Sequence, residues 1–76
     1  MNNLEYHTTD LNLAATLLYY NFTMVRVNKS QPKAIFIFLK TPELMQTIDD
    51  FWVGKLRVEP KAYFDKISEV KARIYN

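Results

Sequence analysis

The sequence predicts a small α+β domain in the order α-β-β-α-α, with an antiparallel β-hairpin packed on helices. Three observations predict it. Thr8, Thr9 and Asp10 precede a run of helix formers from Leu11 to Tyr20; two β-rich segments, 22–28 and 34–40, flank a turn with Ser30 and Pro32; Pro42 and Pro60 stand where helices begin. A chain of 76 residues holds one domain, so 1–76 is read as a single unit with residues 1–8 flexible. With 49 % apolar residues it can form a core, which excludes a disordered tail.

The first helix opens on side-chain oxygens that can accept from unpaired amides, and Asp10 adds negative charge at the positive end of the dipole. At about 100° per residue only Asn12 and Thr16 share a polar sector. Leu11, Leu13, Ala14, Ala15, Leu17, Leu18, Tyr19 and Tyr20 fill the rest, so this helix must be covered on nearly every side. Asn21 suits the left-handed position that ends a helix and turns the chain into Phe22.

Phe22 to Asn28 reads as one strand, Lys29 to Lys33 as a turn and Ala34 to Lys40 as the second strand. The second strand, Ala-Ile-Phe-Ile-Phe-Leu, is apolar on both faces, whereas a hairpin with one wet face should alternate. Something must cover its second face. Thr41-Pro42-Glu43 starts the next helix, since Thr caps, Pro suits the first helical position and Glu favours the dipole. There Leu44, Met45, Ile48, Phe51 and Trp52 span an arc of about 120°, and Gln46, Asp49 and Asp50 lie outside it. Gly54 ends the helix, and Lys55 to Val58 is a candidate short third strand before Glu59-Pro60 opens the last helix. On that helix Tyr63, Phe64, Ile67, Val70 and Ile74 share one face, opposite Lys61, Asp65, Lys66, Glu69 and Arg73. Lys71 falls within the apolar arc, either with its stem packed and its amine in water or at an interface facing a carboxylate or phosphate.

The run Thr9-Asp10-Leu11 with Ala14-Ala15 and Leu18, the exit at Asn21-Phe22, the Phe36-x-Phe38 strand, the pair Phe51-Trp52, the segment Leu56-Arg57-Val58-Glu59-Pro60 and the closing Lys71 to Tyr75 resemble a family of small domains of unknown function found in bacterial and phage genomes. The resemblance covers residues 8–75. It departs at Asn21, where the family has Gly, and at Glu59, where it has Asp, both replacements serving the same capping positions. What it implies is a helix, hairpin, helix, helix order and a bacterial or viral setting, with no function attached.

Catalytic chemistry finds little to work with. There is no cysteine, hence no disulfide, thiolate nucleophile or Cys-based zinc site. His7 is the lone histidine, in the segment read as flexible, and the adjacent Asp49 and Asp50 point about 100° apart on a helix, so they do not converge on a metal. A single Gly excludes a Gly-rich phosphate loop. The chain is therefore read as non-enzymatic, with no catalytic residue, metal site or cofactor. Residues 1–10 hold no apolar signal region, and no apolar run approaches the roughly 20 residues of a membrane helix, so a cytoplasmic protein without a membrane partner is expected.

Charge is distributed unevenly. Residues 26–40 carry Arg26, Lys29, Lys33 and Lys40 and no acid, whereas 41–76 hold six basic and six acidic side chains. A basic hairpin can follow a phosphate backbone, with bases stacking on the candidate rings Tyr19, Tyr20, Phe36 and Phe38. Lys55 and Arg57 extend the basic surface if their segment pairs beside the hairpin. Two functions follow. The first is a non-enzymatic accessory protein that binds nucleic acid mainly through phosphate contacts of Arg26, Lys29, Lys33, Lys40, Lys55 and Arg57. The second is a homo-oligomeric protein-interaction module, a small phage or bacterial regulator or inhibitor that docks on itself or on a host protein. In both, surplus apolar surface on the first helix and the strands predicts a homodimer.

Overall fold

The computed structural model describes residues 4–30 and 32–75. Its elements run β1 (Glu5–Thr8), α1 (Leu11–Tyr19), β2 (Met24–Asn28), β3 (Ile35–Leu39), α2 (Pro42–Trp52) and α3 (Pro60–Tyr75). The class is α+β as expected, with the hairpin and all three helices in their expected places.

The sheet has three antiparallel strands in the order β1-β3-β2. Its third strand corrects two expectations. Lys55 to Val58 is irregular, and the extra strand comes from Glu5–Thr8, within the segment read as flexible. β3 is central, so both its edges need backbone partners. β2 supplies one, and β1 supplies the other in the register Glu5↔Leu39, Tyr6↔Phe38, His7↔Ile37 and Thr8↔Phe36. The 55–59 segment is tied to the end of α1 instead. The Tyr20 hydroxyl donates to the Arg57 carbonyl, and the Glu59 amide donates to the Tyr19 hydroxyl at 2.9 Å.

Local chemistry fixes the helix ends. The Asp10 carboxylate accepts from the Leu13 amide at 3.1 Å and the Thr41 hydroxyl from the Leu44 amide at 3.0 Å. Glu59 accepts from the amides of Lys61 and Ala62 at 3.2 and 2.8 Å, which caps α3. At the C-termini, Asn21 (φ 69°) and Gly54 (φ 77°) take the left-handed position. After each, two reversed bonds close the helix: Asn21 and Phe22 donate to Leu18 and Leu17, and Gly54 and Lys55 donate to Phe51 and Asp50.

One core lies between the sheet and the helices. It joins Leu13, Ala14, Ala15 and Leu17 of α1, Met24 of β2, Phe36 and Phe38 of β3, Leu44 and Ile48 of α2, and Val70 of α3. A bulge makes β2 fit. Met24 opposes Phe38 and Val27 opposes Phe36, although residues three apart on a regular strand point to opposite faces. The irregularity between Met24 and Arg26 inserts Val25 and restores both side chains to the core. On α3 the packed stripe is Tyr63, Ile67, Val70 and Ile74. Phe64, expected on that face, is exposed, as are Lys71 and Tyr75 along the same flank.

Candidate interaction surfaces

Opposite the core, the sheet presents Glu5, His7, Arg26, Ile35, Ile37 and Leu39. Ile37 is only 2 % exposed although it lies outside the helix-side core. Its cover comes from the edge strands. Arg26 and His7 are its register neighbours, and the Arg26 guanidinium reaches across β3 to the Glu5 carboxylate with a fork of bonds at 2.8 and 3.1 Å. Since strands lie about 4.8 Å apart, this pair bridges roughly 10 Å over the central strand. The His7 ring nitrogen Nε2 stands 3.3 Å from the same carboxylate. Hydrogen bonds from Arg26 and then His7 hold the Glu5 carboxyl below the usual carboxylate range, and Glu5 in turn pushes Arg26 up. With His7 and Arg26 on either side of it and the Glu5–Arg26 fork reaching over β3, these side chains are the groups placed to cover Ile37.

The residues expected to bind phosphate do not gather on one strip. Arg26 is engaged by Glu5. Lys29 and Lys33 are exposed in the hairpin turn, and Lys40 is exposed at the far end of β3, a strand length of about 17 Å away. Lys55 and Arg57 belong to the segment tied to α1, where Arg57 donates to the Leu56 carbonyl at 3.1 Å. Two of the four candidate stacking rings are withdrawn. Phe36 and Phe38 are buried in the core, and the hydroxyls of Tyr19 and Tyr20 are bound to the 57–59 backbone.

Much of the apolar surface of α1 and β3 is covered within one chain. The sheet, α2 and α3 cover α1, and on the outer side of β3 Ile37 is covered while Leu39 stays 45 % exposed. Large apolar groups are left in water on the sheet (Val25, Leu39), on α3 (Phe64, Tyr75) and at the end of α2. Trp52 is 62 % and Val53 67 % exposed at the end of α2, with the indole held edge-on to the Phe51 ring at a centroid distance of 4.9 Å. A separate open hollow of about 290 Å³ is lined by Lys40, Thr41, Pro42 and Met45. Among the described residues no group of His, Asp and Glu side chains is placed to hold a metal, and no helix is long and apolar enough to cross a membrane.

A family model described as Domain of unknown function (DUF5659) matches residues 3–76. The chain belongs to this family. The resemblance drawn from the helix caps, the Phe36-x-Phe38 strand and the Leu56 to Pro60 segment thus extends over nearly the whole chain. No curated protein and no solved structure matches it. The function of this DUF5659 domain has therefore to be argued from its own surface.

Sequence reasoning missed the exposure of Trp52 in this domain. By angle Trp52 sits with Leu44 and Ile48, and angle alone implied burial. Along α2, however, exposure rises from Leu44 at 0 % through Ile48 at 5 % to Trp52 at 62 %, and the last turn packs on the core through Phe51 instead. The available signal was its position two residues before Gly54, at the helix end.

Proposed function

We propose that this domain is a non-enzymatic protein-interaction module of the regulator or inhibitor class, with Trp52 and Val53 as the anchor that docks on a partner. The observation that carries the reading is a tryptophan exposed by nearly two thirds whose ring stacks edge to face with Phe51. Burying such a ring on association releases water from a large apolar surface. Tryptophan is among the residues that dominate interface energetics. The test is a photo-reactive amino acid at position 52, with the same group at exposed Ser68 of α3 as control, irradiated in the host cell. A discrete adduct from position 52 alone supports the reading. An adduct of twice the chain's mass identifies the partner as a second copy. No adduct, or the same adducts from both positions, overturns it.

A second reading retains nucleic acid as partner, because Lys29, Lys33 and Lys40 accompany Arg26 on a hairpin without an acid of its own. Binding would be through phosphates, steeply salt-dependent and indifferent to sequence. Fluorescence anisotropy with single-stranded DNA, duplex DNA and RNA at about 50 and 200 mM salt tests it, with a Lys29→Ala, Lys33→Ala, Lys40→Ala variant alongside. Affinity that falls with salt and with the variant supports it; no binding at the lower salt removes it.

A further inference from the structure

We infer that β1 is a displaceable strap on the sheet, clasped by the Glu5–Arg26 pair, which opens as a unit without unfolding the helix-side core. The strap is four residues long, and none of them is fully buried. Tyr6 is the one hydrophobic side chain among them that packs against the core, at its margin, with half-buried Thr8 opposite Phe36. Two residues, Thr9 and Asp10, separate the strap from α1; the Thr8 hydroxyl accepts from the Asp10 amide at 3.1 Å, while the cap itself is made by the Asp10 carboxylate to Leu13, so the strap hinges at Thr8 to Asp10. Segments with few buried contacts at a sheet edge open locally at far lower cost than the whole fold.

The clasp differs from an ordinary surface ion pair in where it reaches. Glu5 is on one edge strand and Arg26 on the other, with β3 between them, so their bond ties β1 to β2 rather than to its own neighbour. The charged groups facing Glu5 are Arg26 from β2 and His7 from its own strand, when protonated; β3 offers only Ile35, Ile37 and Leu39 on that side. The Lys40 amide donates to the Leu4 carbonyl at 2.6 Å. By the alternation of an antiparallel ladder, pairs 6:38 and 8:36 then exchange backbone bonds, while Glu5 opposite Leu39 and His7 opposite Ile37 are the closely spaced side-chain pairs. Lifting the strap therefore frees the backbone groups of Phe36, Phe38 and Lys40 and strips the roof from Ile37. β3 is left with an open edge, the form of surface to which an extended segment of another chain adds.

Amide exchange by NMR on the full chain tests this, comparing wild type with Glu5→Gln and with Arg26→Gln. Breaking the clasp is expected to speed exchange of Tyr6, Thr8, Phe38 and Lys40 by roughly two- to fivefold, the range for a half-exposed charge pair, while Leu13 to Leu17 of α1 stay unchanged. Raising salt from about 50 to 500 mM should move the same amides in wild type and leave the variants flat. The exchanged pair Glu5→Arg with Arg26→Glu should restore protection. Acceleration shared equally by Leu13 to Leu17 would show that β1 opens only with the whole fold, and unchanged exchange at Tyr6 and Thr8 would show that the pair does not hold the strand. The salt series needs no substitution, so a variant that fails to fold still leaves the inference open to refutation.

Discussion

Replacing Ile37 by Ala separates a roofed side chain from an ordinary one on the wet face of a sheet. Ile37 and Leu39 point to the same side of β3, yet Ile37 is 2 % exposed and Leu39 45 % exposed. Full burial of an Ile side chain is worth about 1.5–3 kcal/mol in transfer, and Ile→Ala in packed surroundings costs about 2–5 kcal/mol. The cover over Ile37 consists of Glu5, His7 and Arg26 side chains that can settle into the vacated space, which places Ile37→Ala near the lower end, about 2 kcal/mol. Leu39 is buried by little more than half, so Leu39→Ala should cost about 1 kcal/mol or less. For a domain of this size each kcal/mol moves Tm by about 4–8 °C, so Ile37→Ala should melt roughly 8–16 °C below wild type and Leu39→Ala a few degrees below. Urea titration read by circular dichroism gives the same comparison with no change in slope. If Ile37→Ala costs no more than Leu39→Ala, the side-chain roof contributes nothing and the account of the outer face is wrong.

Other outcomes follow from the same structure. Asn21 is left-handed at φ 69°, so Asn21→Gly should change stability by no more than a few tenths of a kcal/mol, whereas Asn21→Val should cost about 1–2 kcal/mol by thermal melting. Thr41→Ala removes the hydroxyl that accepts from Leu44 and should cost about 1 kcal/mol in urea titration, with Thr41→Ser close to wild type. The Glu5 carboxyl is lowered by Arg26, so it stabilises the fold above its unfolded value and that contribution disappears as pH falls through its lowered folded value. Wild type should therefore exceed Glu5→Gln in stability at neutral pH and lose the advantage as pH falls below the ordinary carboxylate range through the lowered folded value; a gap independent of pH contradicts the pairing.

Much of this architecture is legible in the residues because local chemistry fixes it. Asp10, Asn21, Thr41, Gly54 and Glu59 perform the capping roles their types suggest. The strand at Glu5–Thr8 was not read, because a four-residue segment with only Tyr6 and Thr8 as strand formers is too short to declare itself and is recruited by the unpaired edge of β3. Lys55 to Val58 failed as a strand for the complementary reason, since the tyrosines ending α1 hold it away from any edge. The apolar outer side of β3 was read correctly as needing cover. The ion pair between Glu5 and Arg26 that spans it, 21 positions apart, leaves no mark on local periodicity. The basic residues were counted correctly, but their separation along the sheet depends on topology that a charge count does not contain. Exposure of Trp52 likewise depends on what stands opposite a helix end rather than on its angle.

The central claim is that one chain satisfies its own core and still presents an indole to water. The chain contains a single tryptophan, so acrylamide quenching of intrinsic fluorescence reports Trp52 alone. The account predicts that quenching in the native protein approaches that in urea. Native quenching far below the unfolded value at every concentration would place the indole inside the fold. That result would contradict the claim, whereas quenching that weakens only as concentration rises would identify a second copy as the partner docked on the indole.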